Sequence, residues 1–175
     1  MVEALRRLAR LAERLLALAR AEGAQQLTED WVDLGHVVHL TVDEFRQHAS
    51  LRGRRIVAEA SPARVRGDLD AVGLAVRNLV ENALVHGASG TTIRVVCGST
   101  RQGIAIAVID DGAGVAGREL PSLLRRFARG AGAQGSGAGL GLSIVDTLAR
   151  RMGAKLVLRS PPEASRGPSA ARSIE

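Results

Sequence analysis

The segment GSGAGLGLSIV, residues 135–145, alternates four glycines with small or apolar residues and then becomes an apolar run. Glycine has no Cβ, so the backbone can turn freely here and bring its amides close to a ligand. The apolar run has the spacing of a buried helix face. Exposed amides at a helix N-terminus bind anions, most often phosphate. A flexible Gly/Ser linker is the competing interpretation of this segment taken alone, so the residues upstream decide between the two.

The composition is that of one globular domain. The chain has 175 residues, 46% of them hydrophobic, which is enough for a sizeable core. No apolar run approaches the roughly 18 residues of a membrane span, and no secretory segment follows Met1. The single cysteine, Cys97, cannot form an internal disulfide and lies in a strand-like run, which predicts a core position. These features predict a cytoplasmic segment that makes no membrane contact itself.

The net charge of +6 does not indicate nucleic-acid binding. Basic residues are scattered along the chain, and the three aromatic residues do not interleave with a basic cluster. We therefore expect the basic residues to lie on solvated faces or to bind acidic or phosphate ligands.

Periodicity and turn residues predict an α+β fold. We expect an amphipathic helix over 1–22, a polar linker over 24–30, and a domain over 31–175. The composition after residue 160 leaves two alternatives for the tail, disorder or an added edge strand. Within the domain the patterns predict helices over 34–49, 68–86 and 140–151, strands over 54–60 and 154–159, a hairpin of 91–99 with 103–109, a loop over 112–138 and an edge strand over 170–174. Asp68 is the expected N-cap of the second of these helices. Such a mixture favours a two-layer sandwich.

Two asparagines fall on one face of the helix predicted over 68–86. Asn78 and Asn82 are one turn apart, and Val85 or His86 continues the same face. Repeated amide oxygens beside a core-facing stripe are suited to Mg²⁺, a hard cation usually shared with phosphates. A single surface asparagine would mean little, but a repeated one predicts a site.

Two further groups of residues have the chemistry of a nucleotide site. Asp110 ends a predicted buried strand, where its carboxylate can accept a hydrogen bond from a purine amino group. Gly112 and Gly114 have no side chains and so leave room for a purine ring beside this carboxylate. An ordinary Asp-Gly turn is the competing interpretation. Downstream, Arg126 and Arg129 can reach phosphate oxygens in a fork geometry.

These segments together resemble the catalytic ATP-binding domain of bacterial sensor histidine kinases, members of the GHKL ATPase superfamily. The resemblance covers about residues 1–159. It identifies four motifs in family order: Asn78–His86 as the N box, Asp110–Val115 as the first glycine box, Arg126–Gly130 as the F box and Gly135–Leu142 as the second glycine box. It implies a Bergerat-type sandwich of three helices on a mixed sheet, with ATP under a flexible lid.

The resemblance also implies residue roles. Asn82 would bind Mg²⁺ with help from Asn78, and Asp110 would recognise the adenine amino group in a pocket shaped by Gly112 and Gly114. Arg129, with Arg126, would contact the terminal phosphate. Backbone amides would hold the phosphates at Gly137, Gly139, Leu140 and Gly141. The implied partners are ATP, the kinase's phosphoacceptor hairpin and a response regulator.

Several positions depart from the family pattern. Val85 stands where many members have Lys or Arg, which removes a phosphate contact that His86 is expected to replace. In the lid, Ala128 replaces a frequent aromatic residue and Arg125 a frequent acid.

A phosphoacceptor histidine is also missing from the pattern. Residues 1–22 resemble the second helix of the dimerisation and phosphoacceptor hairpin, which makes a homodimer through this helix plausible. However, no histidine of the chain is followed by Glu or Asp. We expect the acceptor to be supplied by another segment, and His36 and His39 to be partly buried structural residues.

Other nucleotide-binding families fit poorly. A P-loop needs Gly-Lys-Ser/Thr, whereas the one lysine, Lys155, lies well beyond the glycines. A Rossmann site needs a strand before the glycines, and the lysine and aspartate motifs of eukaryotic protein kinases are not found. Two alternatives remain: a related serine kinase of the anti-sigma-factor type, and a degenerate module that binds partners but not nucleotide.

Overall fold

A computed structural model describes residues 27–87, 90–112, 114–115, 117, 119–124, 139–160 and 170–174, together with Ala12 and Gly23. The helix predicted over 1–22, apart from Ala12, and residues 24–26 of the predicted linker lie outside these residues. So do Arg126, Arg129 and Gly137, and the segment 161–169.

The described elements form two sheets and three helices. In chain order they are β1 (Asp30–Asp33), α1 (Leu34–Leu51), β2 (Arg55–Ala60), β3 (Arg64–Gly67), α2 (Leu69–His86), β4 (Thr92–Thr100), β5 (Gly103–Asp110), a 3₁₀ helix (Leu120–Leu124), α3 (Gly141–Arg151), β6 (Leu156–Leu158) and β7 (Ala170–Ile174). β1 and β3 form a small sheet, and the main sheet has the order β2-β4-β5-β7-β6. The predicted α+β sandwich is confirmed.

The main sheet is mixed. β2 pairs parallel to β4, with Arg55 opposite Thr92, while β4 and β5 form the predicted antiparallel hairpin, with Thr100 opposite Gly103. β7 was expected at the edge of the sheet, and that expectation is wrong. It pairs with both β5 and β6 and is an interior strand. β6, the edge strand beside β7, is only three residues long. Nothing in the sequence of 170–174 shows which strands flank β7.

The core lies between the three helices and one face of the main sheet. Buried residues recur every three or four positions along α1, as expected for a helix with one covered face. The fully buried side chains include Val38 and Val42 of α1, Val76 and Leu79 of α2, Ile93 and Val95 of β4, Val108 of β5, and Ile144 and Val145 of α3. Cys97 is also buried, as predicted, and burial raises the pKa of its thiol. Among the described helices, none is both long and apolar enough to cross a membrane.

The histidines of α1 correct a second expectation. His36 and His39 were expected to be partly buried, but both are exposed. They precede and follow the buried residues Val37 and Val38, and their side chains lie on the solvent face of the helix. In the part of the chain that the structure describes, no group of three or more His, Cys, Asp or Glu residues is placed to hold a metal.

The small sheet was not anticipated from the sequence. β1 and β3 pair antiparallel, with Trp31 opposite Arg66, and the Arg66 guanidinium lies 5.7 Å from the centre of the Trp31 ring. Both strands have four residues, too few for alternation to stand out. β1 begins at Asp30, one residue before the predicted start of the domain.

Asp68 caps α2 and also holds the segment that leads into the domain. Its Oδ1 accepts from the Ala71 amide at 2.9 Å, and its Oδ2 accepts from Thr28 N at 3.0 Å and Thr28 Oγ1 at 3.1 Å. Burial by itself raises the pKa of this carboxyl, but the hydrogen bonds together outweigh it and hold the pKa below its ordinary value of 3.8. The predicted cap is confirmed, and its tie to Thr28 is additional.

We expect Asp68→Ala to lower the free energy of unfolding by about 1–2 kcal/mol, because the N-cap hydrogen bond to the Ala71 amide and the hydrogen bonds from Thr28 are all lost. The ionised carboxyl is the stabilising form, so its contribution is complete above pH 3.8 and is lost as the pH falls through the lowered folded-state pKa. Urea denaturation at several pH values measures the difference. Asp70→Ala, an exposed acid in the same turn, is the matched control. An equal loss in both variants would contradict the assignment.

Candidate nucleotide-binding site

The two asparagines of α2 lie at different depths on one side of the helix. Asn78 is 7% exposed, and its Nδ2 donates to Leu74 O at 2.8 Å. Since the amide nitrogen is used within the helix, Oδ1 is the atom directed toward α3, where a Cβ built on Gly141 would lie 3.4 Å from it. Asn82, one turn later, is half-buried, and His86 is exposed at the end of the helix. Along α2, exposure therefore increases from the buried amide of Asn78 through the half-buried Asn82 to the exposed imidazole of His86.

Asp110 lies at the carboxyl end of β5 and is 1% exposed. Its Oδ1 accepts a hydrogen bond from the Gly112 amide at 3.0 Å. A Cβ on Gly112 would be 2.6 Å from that oxygen and 3.0 Å from His86 O. Only glycine fits this position, because the turn after β5 packs directly against the end of α2. The carboxylate thus lies in a thin-walled corner between β5 and α2.

The N-terminus of α3 presents backbone amides of the kind that bind phosphate. Leu140 occupies the N-cap position, and among the described residues no side chain caps the helix there. Leu140 is fully buried, its carbonyl accepts from Ser143 Oγ at 2.8 Å, and Gly139 before it has φ +67°. A buried leucine therefore anchors the turn at the start of an 11-residue helix, where an anion can meet the first amides.

Two contacts around the site have no signal in the sequence. Ser160 Oγ accepts from the Val115 amide at 2.8 Å, and a Cβ on Gly114, which has φ +73°, would lie 2.9 Å from this Oγ. Arg54 Nη2 donates to Gly87 O at the end of α2. Each contact joins residues more than thirty positions apart, so local spacing does not reveal them. They support the loop after β5 and the end of α2, respectively.

The described residues fit an adenine nucleotide with Mg²⁺. The glycines at 112 and 141 leave space beside Asp110 and Asn78 that a Cβ would fill. Neutral amide oxygens hold Mg²⁺ weakly by themselves, so a metal here would be shared with phosphates. The structure places Asn78 of α2 beside Gly141 at the start of α3, and Asp110 and Gly112 beside the His86 carbonyl at the end of α2. Asn82 lies on α2 between Asn78 and His86, Gly114 follows the turn after β5, and Gly139 and Leu140 directly precede α3. The roles given to Arg126, Arg129 and Gly137 remain predictions, since these residues lie outside the described part.

The chain matches the family model described as histidine kinase-, DNA gyrase B-, and HSP90-like ATPase over residues 67–170. That range contains α2, β5 and α3, which build the site.

Individual proteins also resemble this chain, two of the following three over a larger share of it than the family model. The sensor-like histidine kinase SenX3 of Mycolicibacterium smegmatis is 32% identical over 93% of this chain and 44% of its own length. The sensor-type histidine kinase PrrB of Mycobacterium leprae is 42% identical over 51% of this chain and 20% of its own length. The solved structure of the mycobacterial sensor histidine kinase MprB superposes with a TM-score of 0.73 at 26% identity, covering 84% of this chain and 95% of that one. The chain thus spans less than half the length of these two curated relatives.

We expect Gly112→Ala to abolish adenine-nucleotide binding, because the added methyl group must displace either the Asp110 carboxylate or the end of α2. Overpacking of this kind also costs about 1–3 kcal/mol of stability. Isothermal titration calorimetry with ATP and a thermal melt measure the two effects.

Gly117→Ala is the matched control, since a Cβ there meets nothing within 4 Å. It should bind nucleotide like the unmodified chain. Undiminished binding by Gly112→Ala would show that this corner is not the base pocket.

Proposed function

The chain belongs to the histidine kinase-, DNA gyrase B-, and HSP90-like ATPase family, and we propose that it binds Mg-ATP as the catalytic domain of a two-component sensor histidine kinase. One observation carries the proposal: the buried Asp110 carboxylate lies at the corner where Gly112 packs against the end of α2, and the start of α3 lies beside Asn78 of the same helix. A base at Asp110 and phosphates at α3 would place α2 alongside the ribose and phosphates.

The residues act by binding and orienting. Asp110 accepts a hydrogen bond from the adenine amino group, and its burial makes that contact selective because water cannot replace it. The amides at Gly141 and the following residues hold phosphate oxygens at the positive end of the helix dipole. Asn82 would hold Mg²⁺, with the Oδ1 of Asn78 as a second amide oxygen on the same helix. Mg²⁺, when bound with ATP, neutralises phosphate charge during transfer.

The acceptor of the phosphoryl group is a histidine on a helical hairpin of the same kinase. The relatives' names support a histidine acceptor over the serine acceptor of the anti-sigma-factor type. We further propose that a response regulator receives the group next, that residues 1–22 pair with a second copy, and that the domain works in the cytoplasm. Arg126 and Arg129 would contact the terminal phosphate.

We expect Asn82→Ala to remove the Mg²⁺-dependent part of ATP affinity, a loss of about tenfold or more, equivalent to about 1.4 kcal/mol. Affinity measured without Mg²⁺ should change little, because base and phosphate contacts remain. Calorimetric titrations with and without Mg²⁺ separate the two. The control is Glu81→Gln, an adjacent half-buried residue. An unchanged Mg²⁺ dependence in Asn82→Ala would remove this residue as the metal ligand, and undetectable nucleotide binding by the unmodified chain would favour the degenerate module.

We expect the chain, incubated alone with γ-labelled ATP, to acquire no phosphohistidine, because no His-Glu or His-Asp pair is present in it. Adding a separately produced hairpin that carries an acceptor histidine should yield acid-labile, base-stable phosphate on that hairpin. The same hairpin with His→Gln is the control. Acid-labile label on the chain itself would contradict the proposal, and acid-stable label on a small antagonist protein would support the serine-kinase alternative.

A further inference from the structure

A groove of about 500 Å³ runs between α1 and β2, at the opposite edge of the main sheet from β6. His39, Arg46 and Ser50 of α1 form one wall, and residues 54–58 form the other. β4 separates β2 from β5, the strand that ends at Asp110. The groove is therefore distinct from the nucleotide site.

The wall formed by β2 is a strand edge. Arg55 N donates to Thr91 O at 3.0 Å, and Ser61 N donates to Cys97 O at 2.9 Å. In a parallel pair alternate residues bond to the neighbouring strand, so the odd-numbered residues face β4. Ile56 and Ala58 consequently direct their N–H and C=O groups to the other side. Within the described part of the chain, no second strand pairs with β2 on that side.

The groove is also positively charged. Arg46 and Arg55 are exposed, and the described residues that line the groove include no Asp or Glu. Among the described residues Arg55 forms no ion pair, and Arg46 pairs with Asp43 at 3.0 Å, an exposed contact of little energetic value. The acid on β2, Glu59, is bound at 2.7 and 2.5 Å by Arg94 of β4. The groove therefore offers two arginines to an anionic ligand.

We propose that this groove binds an extended acidic peptide of a partner protein as an additional strand on β2. The outward N–H and C=O groups of Ile56 and Ala58 would pair with the peptide backbone. Carboxylates on neighbouring residues of the peptide, which point to opposite faces of the sheet, would reach Arg46 on the α1 side and Arg55 on the other side. A strand edge matches a peptide backbone, whereas a nucleic acid would use the charges but not the edge. The groove also has no Phe, Tyr or Trp on which bases would stack.

The test uses a fluorescein-labelled peptide of repeating Glu-Glu-Val-Val, titrated with the chain and followed by fluorescence anisotropy at low and high salt. We expect binding that weakens with salt, and a loss of about tenfold in Arg55→Glu. Arg150→Glu is the matched control. It makes the same charge change at a 75%-exposed side chain on α3, away from β2.

Two further measurements address the backbone pairing. Ala58→Pro removes an outward N–H without removing a bond to β4, at an edge position where proline is tolerated. A peptide N-methylated at alternate residues keeps the charges but lacks donors, so this measurement needs no variant of the chain. Both should abolish binding. ATP affinity, measured in parallel, should stay unchanged in Arg55→Glu, which separates this proposal from the proposed function.

Equal peptide affinity for Arg55→Glu and Arg150→Glu would overturn the proposal. Undiminished binding of the N-methylated peptide would do the same. Binding of single-stranded DNA or inorganic tripolyphosphate, without binding of the peptide, would assign the groove to a phosphate ligand instead.

Discussion

The burial of α2 is the constraint on which the rest of the structure depends. Val76, Leu79, Val80 and Ala83 are fully excluded from solvent between the sheet and the neighbouring helices. Rotating the helix would expose this stripe, at about 1.5–3 kcal/mol for each large apolar side chain. Asn78 and Asn82 belong to the same helix, so the packing that stabilises the domain also sets where their amide groups lie. The asparagines of the site are therefore positioned by the domain core itself.

Both ends of α2 are held by residues distant in sequence. Asp68 ties its start to Thr28, and Arg54 ties its end to Gly87. The first of these contacts connects the segment entering the domain to the helix that carries the site. The second lies at the corner where Gly112 packs against His86 O. The segment that enters the domain is therefore joined by hydrogen bonds to the helix that carries the asparagines.

Local patterns predicted most of the described elements. The apolar periodicity of α1 and α2 and the Asp68 cap are local signals, and so is the hairpin of β4 and β5, whose strands are joined by a two-residue turn. The expectations that failed concern pairing and exposure. The position of β7 depends on which strand edges are free, which is a property of the whole sheet. The exposure of His36 and His39 depends on which side of α1 meets β2.

For the site, the sequence by itself determined the residue types and their order: asparagines one turn apart, an aspartate at a strand end, and glycines before a helix. These are chemical identities and short spacings, and short spacings become geometry through helix and strand periodicity alone. Tertiary structure decided which groups face one another. Asn78 Oδ1 meets Gly141, Gly112 packs on His86 O, and Ser160 holds Val115, because burying one shared apolar core brings together segments many residues apart. It also decided that β2 lies beside two arginines, with an outer edge that no other strand of the described part covers.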